Sequence, residues 1–192
     1  MLNIREKSSD FGQSSVREEL RDKDKFFSAQ TLTKNLLENA KSIALQKISC
    51  NIEYFQDSYP EPAAENGIYK KIDNVEWTSG FWSGQLWLAY ELFEDKQFLD
   101  AASAQIPSYK KRIEERIEVD HHDHGFLYLL SCVAGYKNTG DKDCKEAALK
   151  SADCLYDRYI DTGKIIQAWG NLNDPAESGR MIIDCNLNIP LL

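Results

Sequence analysis

YELFEDKQFLDAA at residues 90–102 recurs 46 positions later as YKNTGDKDCKEAA at residues 136–148. Both copies hold a tyrosine, an Asp-Lys pair beginning five positions later, and a closing Ala-Ala pair. Aspartate is a preferred N-cap and alanines allow close packing, so each copy predicts a tight turn that leads into a returning helix. Hairpins of this kind are expected to stack side by side, because one hairpin cannot bury its own apolar face.

Gly-Phe pairs extend the match upstream and predict where the inner helices begin. They lie 45 positions apart, at residues 80–81 and 125–126. A third hairpin is predicted from an outer helix at residues 141–160 and a partner that begins near Met181. Its last apolar residues are expected to be exposed: Ile189, Leu191 and Leu192. The sequence shows neither β-periodicity nor a Gly-rich phosphate loop, so the predicted fold is all-α rather than an α/β nucleotide fold.

The sequence before the repeats predicts an arm, a long helix and a loop. Residues 1–30 are charged and weakly periodic, so we expect a poorly ordered arm, with the folded part at residues 31–192. A helix is predicted from Thr33 because apolar residues recur at three and four: Leu36, Leu37, Ala40, Ile43, Ala44, Ile48, Ile52 and Phe55. The prolines of residues 58–62 end it, and a loop with a short extended piece reaches Val75.

Charge and cysteine content narrow the classes of function and location. The formal net charge of −8 disfavours nucleic acid as a partner, because phosphate binding needs a basic surface. Five cysteines without zinc-binding spacing predict reduced, buried thiols: Cys50, Cys132, Cys144, Cys154 and Cys185. Residues 1–27 lack the apolar centre of a secretory signal and no stretch is suited to a membrane, which predicts a cytoplasmic protein.

Three loops lie where inner helices are predicted to begin, at residues 77–80, 120–123 and 180–184. Stacked hairpins would bring these loops to the same end of the molecule, which indicates a functional site there. Helix N-termini at this end offer free N–H groups that suit a substrate carboxylate despite the negative net charge.

Asp123 and Asp184 are the candidate catalytic carboxylates in these loops. Two acids that face one cleft repel each other and are unequally desolvated, which can leave one of them protonated as a proton donor. Asp184 follows Met-Ile-Ile at residues 181–183 and precedes Cys185, an apolar setting for a carboxylate. The alternative interpretation is that both aspartates only cap helices.

Neighbouring histidines and loop tryptophans complete the candidate site. His121 and His122 could orient a carboxylate or touch substrate, or could be ordinary surface or core residues. Their segment is not interpreted as a metal site, because adjacent residues cannot easily aim four ligands at one ion. Trp87 is predicted to lie in the core, whereas Trp77 and Trp169 leave core packing and sugar stacking both open.

Four stretches together resemble the unsaturated glucuronyl hydrolases, glycoside hydrolase family 88. They occur in order between about Thr33 and the last residue: NVEWTSGFWSG at 74–84, DHHDHGFLY at 120–128, IIQAWG at 165–170 and GRMIIDC at 179–185. The resemblance implies an (α/α)6 toroid of helical hairpins, about half of which this chain contains. It also implies an enzyme without a metal or a cofactor.

The reaction implied by the resemblance is hydration of the C4=C5 vinyl ether left by polysaccharide lyases, not displacement at the anomeric carbon. The implied substrates are glycosaminoglycan disaccharides with a 4,5-unsaturated uronic acid at the non-reducing end. By motif, Asp184 is the general acid and Asp123 the second catalytic carboxylate. Trp77, Trp169 and His122 are the substrate-binding residues that the same motifs imply.

Three other functions are compatible with the sequence. A rhamnogalacturonyl hydrolase of the same mechanism would act on pectin-derived disaccharides. A truncated remnant would bind sugar weakly or do nothing, and an α-solenoid scaffold would leave both aspartates dispensable. Two exposed apolar edges are expected of a half-toroid, which predicts self-association, instability or pairing with a C-terminal half.

Overall fold

The computed structural model describes residues 21–27 and 32–192. Helix α1 (Lys23–Phe27) lies within the predicted polar arm, and residues 1–20 and 28–30 of that arm lie outside the described residues. The chain divides into two units between Asn39 and Ala40, inside helix α2 (Lys34–Phe55). The hairpins and the candidate site belong to the second unit.

Stacked helical hairpins form the described second unit, as the repeat predicts. After α2, the helices are α3 (Ser79–Phe93), α4 (Lys96–Ala104), α5 (Ile106–Glu114), a π-helix (Gly125–Val133), α6 (Ala134–Thr139), α7 (Lys142–Tyr156), α8 (Cys185–Asn188) and a 3-10 turn (Ile189–Leu191). The inner helix α3 packs against the π-helix, which packs against α8, while the outer helix α5 packs against α7.

The two repeated aspartates start their helices as predicted. The Asp95 carboxylate accepts a hydrogen bond from the N–H of Gln97, at the beginning of α4. The Asp141 carboxylate accepts from the N–H groups of Asp143 and Cys144, at the beginning of α7. Both side chains satisfy N–H groups that have no partner within the helix.

One predicted outer helix is divided in two, and the other is shorter than predicted. The first returning helix is divided into α4 and α5, and Pro107 in the first turn of α5 has no N–H with which to continue α4. Helix α7 ends at Tyr156 instead of residue 160. Residues 159–160 (β3, Tyr159–Ile160) pair instead with β4 (Ile165–Ile166) in an antiparallel hairpin.

The C-terminal inner helix begins later than predicted. Helix α8 starts at Cys185 instead of near Met181. Leu191 is half-buried against the core, whereas Ile189 and Leu192 are exposed as predicted. The prediction was wrong for Leu191 because the 3-10 turn after α8 brings this side chain back toward the π-helix.

Glycines at equivalent positions of the repeat allow successive inner helices to touch. A Cβ atom on Gly80 of α3 would lie 1.9 Å from the carbonyl oxygen of Phe126 in the π-helix. A Cβ atom on Gly125 of the π-helix would lie 2.4 Å from the Cα of Asn188 in α8. The Gly-Phe pairs of the sequence therefore mark the same close approach in two consecutive steps of the stack.

The core lies between the inner and outer helices. Its buried members include both aromatic and aliphatic residues: Trp82, Leu86, Trp87, Tyr109, Leu127 and Tyr128. The prediction that Trp87 is a core residue is confirmed. Ile48 and Ile52 of α2 pack on this core, whereas Ile43 is exposed. Among the described residues, no helix is long and apolar enough to cross a membrane.

A β-hairpin occupies most of the segment predicted to be a loop. Strand β1 (Tyr59–Glu65) pairs antiparallel with β2 (Ile68–Ile72). Asn66 and Gly67 between them have φ angles of 52° and 77°, as a two-residue hairpin turn requires. The two prolines of β1 are compatible with this assignment because a two-stranded sheet has only edge strands.

Candidate active site

Backbone hydrogen bonds join the predicted loops at one end of the inner helices. The N–H of His122 donates to the carbonyl of Ala168 over 2.7 Å. The N–H of Ala168 donates to the carbonyl of Arg180, also over 2.7 Å. The segment that carries Trp169 therefore lies between the segments that carry Asp123 and Asp184.

The two candidate carboxylates meet at one buried imidazole. The His122 side chain is 2% exposed. Its Nε2 lies 3.2 Å from Oδ1 of Asp123 and 3.5 Å from Oδ2 of Asp184. Its Nδ1 lies 2.9 Å from the sulfur of Cys185. Residues separated by 61 positions in the sequence thus form one cluster, which the stacking of inner helices predicted.

His121 fixes the backbone that carries Asp123. The Asp123 N–H donates to Nδ1 of His121 over 3.0 Å, so this nitrogen is an acceptor. The other ring nitrogen lies 2.9 Å from the Glu118 carbonyl and therefore carries the proton. Burial lowers the pKa of His121, which favours this neutral form.

The surroundings of Asp184 differ from the predicted apolar setting. The side chains of residues 181–183 are exposed, and Ile183 reaches 89% exposure, so these residues do not enclose the carboxylate. The polar ring of His122 and the thiol of Cys185 lie beside it instead. Asp184 precedes α8, but its side chain makes no capping hydrogen bond. The capping alternative is therefore not what the structure shows for Asp184.

Asn188 connects the helix that follows Asp184 to the π-helix that follows Asp123. It is buried, and its Oδ1 accepts a hydrogen bond from the Phe126 N–H over 2.9 Å. Its Nδ2 donates to the carbonyl of Asp184 over 3.3 Å. One amide side chain thereby fixes the spacing between the two acidic segments.

Trp77 and Asp123 line one cleft of about 630 Å³. The other lining residues are Val75, Glu76, Ile117, Glu118 and His121. The Trp77 side chain is half-exposed and contacts the ring of Phe126, with 5.8 Å between ring centroids. An exposed indole beside carboxylates suits a sugar, whose ring stacks on the aromatic face and whose hydroxyls donate hydrogen bonds.

Arg112 of α5 holds both walls of this cleft, although no sequence pattern indicated such a role. The side chain is 1% exposed. Its guanidinium donates to the carbonyls of Val75 and Glu76 on one wall and of Ile117 and Glu118 on the other. Burial lowers the pKa of Arg112, but an arginine remains charged in a protein.

Trp169 is 45% exposed and does not line the cleft of Trp77. Arg158, a second buried arginine that the sequence analysis missed, holds its loop by donating to the carbonyls of Gln167 and Gly170. The buried Gln167 amide donates to the carbonyl of Trp169 and accepts from the N–H of Gly179. The structure therefore brings the backbone of Trp169 to the site but leaves its ring open to solvent.

His122, Asp184 and Cys185 have potential ligand atoms within 4.8 Å of one another. This is the group of described residues that could share a metal ion, and it differs from the run of residues 120–123 considered in the sequence. Imidazole, carboxylate and thiolate are all ligands that zinc accepts.

Comparison with known proteins places the chain in a family. Residues 49–167 match Glycosyl Hydrolase Family 88. The chain belongs to this family. Over 175 residues it is 48% identical to the unsaturated chondroitin disaccharide hydrolase of Streptococcus agalactiae serotype III, covering 91% of this chain and 44% of that protein. It is also 43% identical over 142 residues to the unsaturated glucuronyl hydrolase of Bacillus sp. strain GL1, covering 74% of this chain and 38% of that one.

Solved structures agree with the family and with the fold. The crystal structure of unsaturated glucuronyl hydrolase from Streptococcus agalactiae superposes with a TM-score of 0.86 at 47% identity, over 93% of this chain and 45% of that chain. A mutant of that enzyme, complexed with dGlcA-GalNAc6S, superposes with a TM-score of 0.76 at 42% identity, over 91% of this chain and 41% of that chain. The predicted family and all-α toroid fold are confirmed, and this family-88 chain spans less than half the length of these relatives.

Proposed function

We propose that this family-88 chain carries the acid catalyst of an unsaturated uronyl hydrolase. The enzyme would release 4,5-unsaturated uronic acid from the non-reducing end of lyase-generated glycosaminoglycan disaccharides. The observation that supports this proposal is the placement of Asp123 and Asp184 around the single imidazole of His122, beside a cleft lined by Trp77.

Asp184 is the proposed proton donor. Its carboxyl group transfers a proton to C4 of the vinyl ether, which leaves positive charge shared between C5 and the ring oxygen. Water then adds at C5 and returns a proton to the carboxylate, so that the acid is regenerated. The resulting hemiketal opens and releases the neighbouring sugar.

Asp123, Trp77, Trp169 and His122 are the proposed binding and supporting residues. Asp123 accepts hydrogen bonds from substrate hydroxyls, and its charge acts on its partner through the shared imidazole. Trp77 stacks on the uronate ring, since its indole is open to the cleft that contains Asp123. Trp169 contacts the sugar from the adjoining loop, and His122 orients both carboxylates.

Chondroitin-derived disaccharides are the proposed substrates. The Streptococcus agalactiae protein named unsaturated chondroitin disaccharide hydrolase is 48% identical over the aligned residues. A structure named as specific for heparin is less similar, at 26% identity. We expect chondroitin-derived disaccharides to be hydrolysed faster than pectin-derived ones. A rhamnogalacturonyl hydrolase would hydrolyse the pectin-derived disaccharides faster.

The proposed location is the cytoplasm, and the proposed partner is a further set of helical hairpins. The five cysteines are free thiols, which fits a reducing compartment. The prediction that all five are buried was wrong for Cys50, which is exposed. Hairpins from a C-terminal half or from a second copy would cover the apolar edges of the stack. Fractionation of cells that express a tagged chain tests the location directly.

Loss of the ultraviolet absorbance of the conjugated double bond tests the proposed reaction. This chain is assayed alone and as a replacement for the matching N-terminal part of the Streptococcus agalactiae relative. The chimera should bleach an unsaturated chondroitin disaccharide, and Asp184→Asn should reduce kcat by at least about a thousandfold, since it removes the acid. Asp174→Asn, in an exposed turn, is the matched control. A folded chimera that leaves the absorbance unchanged would refute the proposal.

A further inference from the structure

The thiol of Cys185 is buried against the imidazole that joins the two carboxylates. Cys185 is 5% exposed. Its sulfur lies 2.9 Å from Nδ1 of His122. The carbonyl oxygen of Ile166 is the other acceptor that it faces, at 3.8 Å. The thiol has one proton to donate, and the nearer imidazole nitrogen is the better placed acceptor.

A thiol that donates to Nδ1 requires this nitrogen to carry no proton. In a neutral imidazole the ring proton then resides on Nε2. This is the nitrogen that lies 3.2 Å from Asp123 and 3.5 Å from Asp184. Both carboxylates accept hydrogen bonds, so a proton on Nε2 suits its surroundings, whereas a bare lone pair there would face their oxygen lone pairs.

We propose that Cys185 is a positioning residue whose thiol keeps Nδ1 of His122 unprotonated, so that the ring presents its single N–H to both candidate carboxylates. Cys185 acts through His122 and does not touch the substrate. In other proteins, a group that hydrogen-bonds one ring nitrogen of a functional histidine fixes the tautomer and orientation of the ring.

The consequence for catalysis rests on the proposed function. The proposed reaction needs Asp184 to deliver a proton. By fixing the ring proton on Nε2, Cys185 keeps an N–H directed at the oxygens of both acids, so that His122 holds Asp184 in the position from which it transfers that proton to C4.

Nitrogen NMR of this chain labelled at histidine tests the tautomer without any need for activity. The Nδ1 and Nε2 signals of His122 are read near neutral pH with EDTA present, because a metal bound by His122, Asp184 and Cys185 would imitate the effect of the thiol. We expect an unprotonated Nδ1 and a protonated Nε2. A protonated Nδ1 in the unaltered chain overturns the proposal.

Two substitutions separate the donor from the volume of the side chain. Cys185→Ala removes the donor, and we expect the protonated fraction of Nδ1 to rise at least threefold. Cys185→Ser keeps an O–H donor and should restore the original signals. Cys144→Ala removes another buried thiol that does not contact His122, and it should leave these signals unchanged. An effect of equal size in Cys185→Ala and Cys185→Ser would contradict a role for the donated proton.

Kinetics of the active chimera provide the second measurement. Cys185→Ala should lower kcat about tenfold with little change in KM, and Cys185→Ser should recover most of the loss. If the tautomer is as expected but no hydrolysis occurs, the proposed function fails while the assignment of the ring proton stands. If the chimera hydrolyses the disaccharide although Nδ1 carries a proton, the proposed role of Cys185 is wrong while the proposed function stands.

Discussion

Arg112 is the side chain on which both walls of the cleft depend. It is 1% exposed and donates five hydrogen bonds, four to backbone carbonyls and one to Asn74. A lysine has three N–H donors on one atom and cannot reach these acceptors together. We expect Arg112→Lys to lower the free energy of unfolding by about 3 kcal/mol, since several buried acceptors lose their donors.

Urea unfolding measures this effect, and Arg116→Lys is the matched control. Arg116 pairs with Asp120, and both side chains are exposed. Such a pair contributes about 1 kcal/mol or less. Equal losses in the two variants would show that the cleft walls do not depend on Arg112.

The location of Asp123 and Asp184 at the same end of the inner helices could be predicted from the sequence. The burial of Arg112 beneath the cleft could not. The aspartates are visible because each lies in a loop at the expected start of an inner helix. Arg112 lies within an amphipathic helix, where an arginine ordinarily faces solvent. Its burial depends on carbonyl groups up to 37 positions earlier in the chain, and no local pattern reports such a contact.

The buried imidazole of His124 should make the stability of the folded chain depend on pH. It is fully buried, its Nε2 lies 2.9 Å from the Val119 carbonyl, and burial lowers its pKa to about 4. An unfolded histidine has a pKa near 6.5, so below that pH the unfolded chain binds a proton that the folded chain excludes. The contribution of His124 to stability is present above pH 6.5 and is lost as the pH falls toward 4, by about 3 kcal/mol.

The pH effect of His124 is measured as a difference between two proteins. Urea unfolding of the unaltered chain and of His124→Asn is compared from pH 8 to pH 4. The carboxylates titrate in both proteins, so their contribution to the pH dependence cancels in the difference. The stability gap between the two proteins should narrow as the pH falls. A gap that stays constant across this range would mean that His124 binds a proton as readily in the folded chain as in the unfolded chain.

At the scale of the elements, the inner helices approach each other so closely at Gly80 and Gly125 that we expect neither position to tolerate a larger residue. Alanine at Gly80 would bring its Cβ to 1.9 Å from the Phe126 oxygen, which is backbone and cannot turn aside. We expect each alanine variant to lose about 3 kcal/mol of stability, as overpacking outweighs the gain in helix propensity. Gly163→Ala is the control, because the nearest atom to its Cβ would be a side-chain carbon of Ile165 at 3.3 Å. Thermal unfolding that ranks all three variants alike would contradict this explanation.

The same contacts explain which elements could be predicted. Apolar periodicity predicted α2, and the Asp-Lys pairs predicted the starts of α4 and α7, because these signals lie within the segments themselves. A helix that begins at Gly125 was predicted, but its π geometry and the start of α8 at Cys185 could not be. Asn188 binds the Phe126 N–H across the boundary between them, and that contact is made only after the inner helices have stacked.

At the scale of the whole molecule, the stack leaves an apolar groove on its first hairpin and another on its last. The first groove has a volume of about 340 Å³ between α2 and α3 and includes Leu45, Leu88 and Leu92. The second, of about 620 Å³, lies beside α8 and includes Ile182 and Leu192. The exposed edges predicted for half of a toroid correspond to these two grooves.

Two apolar grooves on one chain predict self-association in solution, because apolar surface that is not covered by further hairpins favours contact between copies. Light scattering coupled to size-exclusion chromatography should show a mass that rises with concentration.

Leu92→Lys and Ile182→Lys, one in each groove, should each weaken association about tenfold, since each exposes a charge where about 1.5 kcal/mol of apolar burial is lost. Leu149→Lys alters a residue that is at least as exposed as Leu92 and Ile182 but lies outside both grooves, so it should leave the association unchanged. If the chain stays monomeric at every concentration, or if all three lysine variants behave alike, the grooves are not the surfaces through which copies meet.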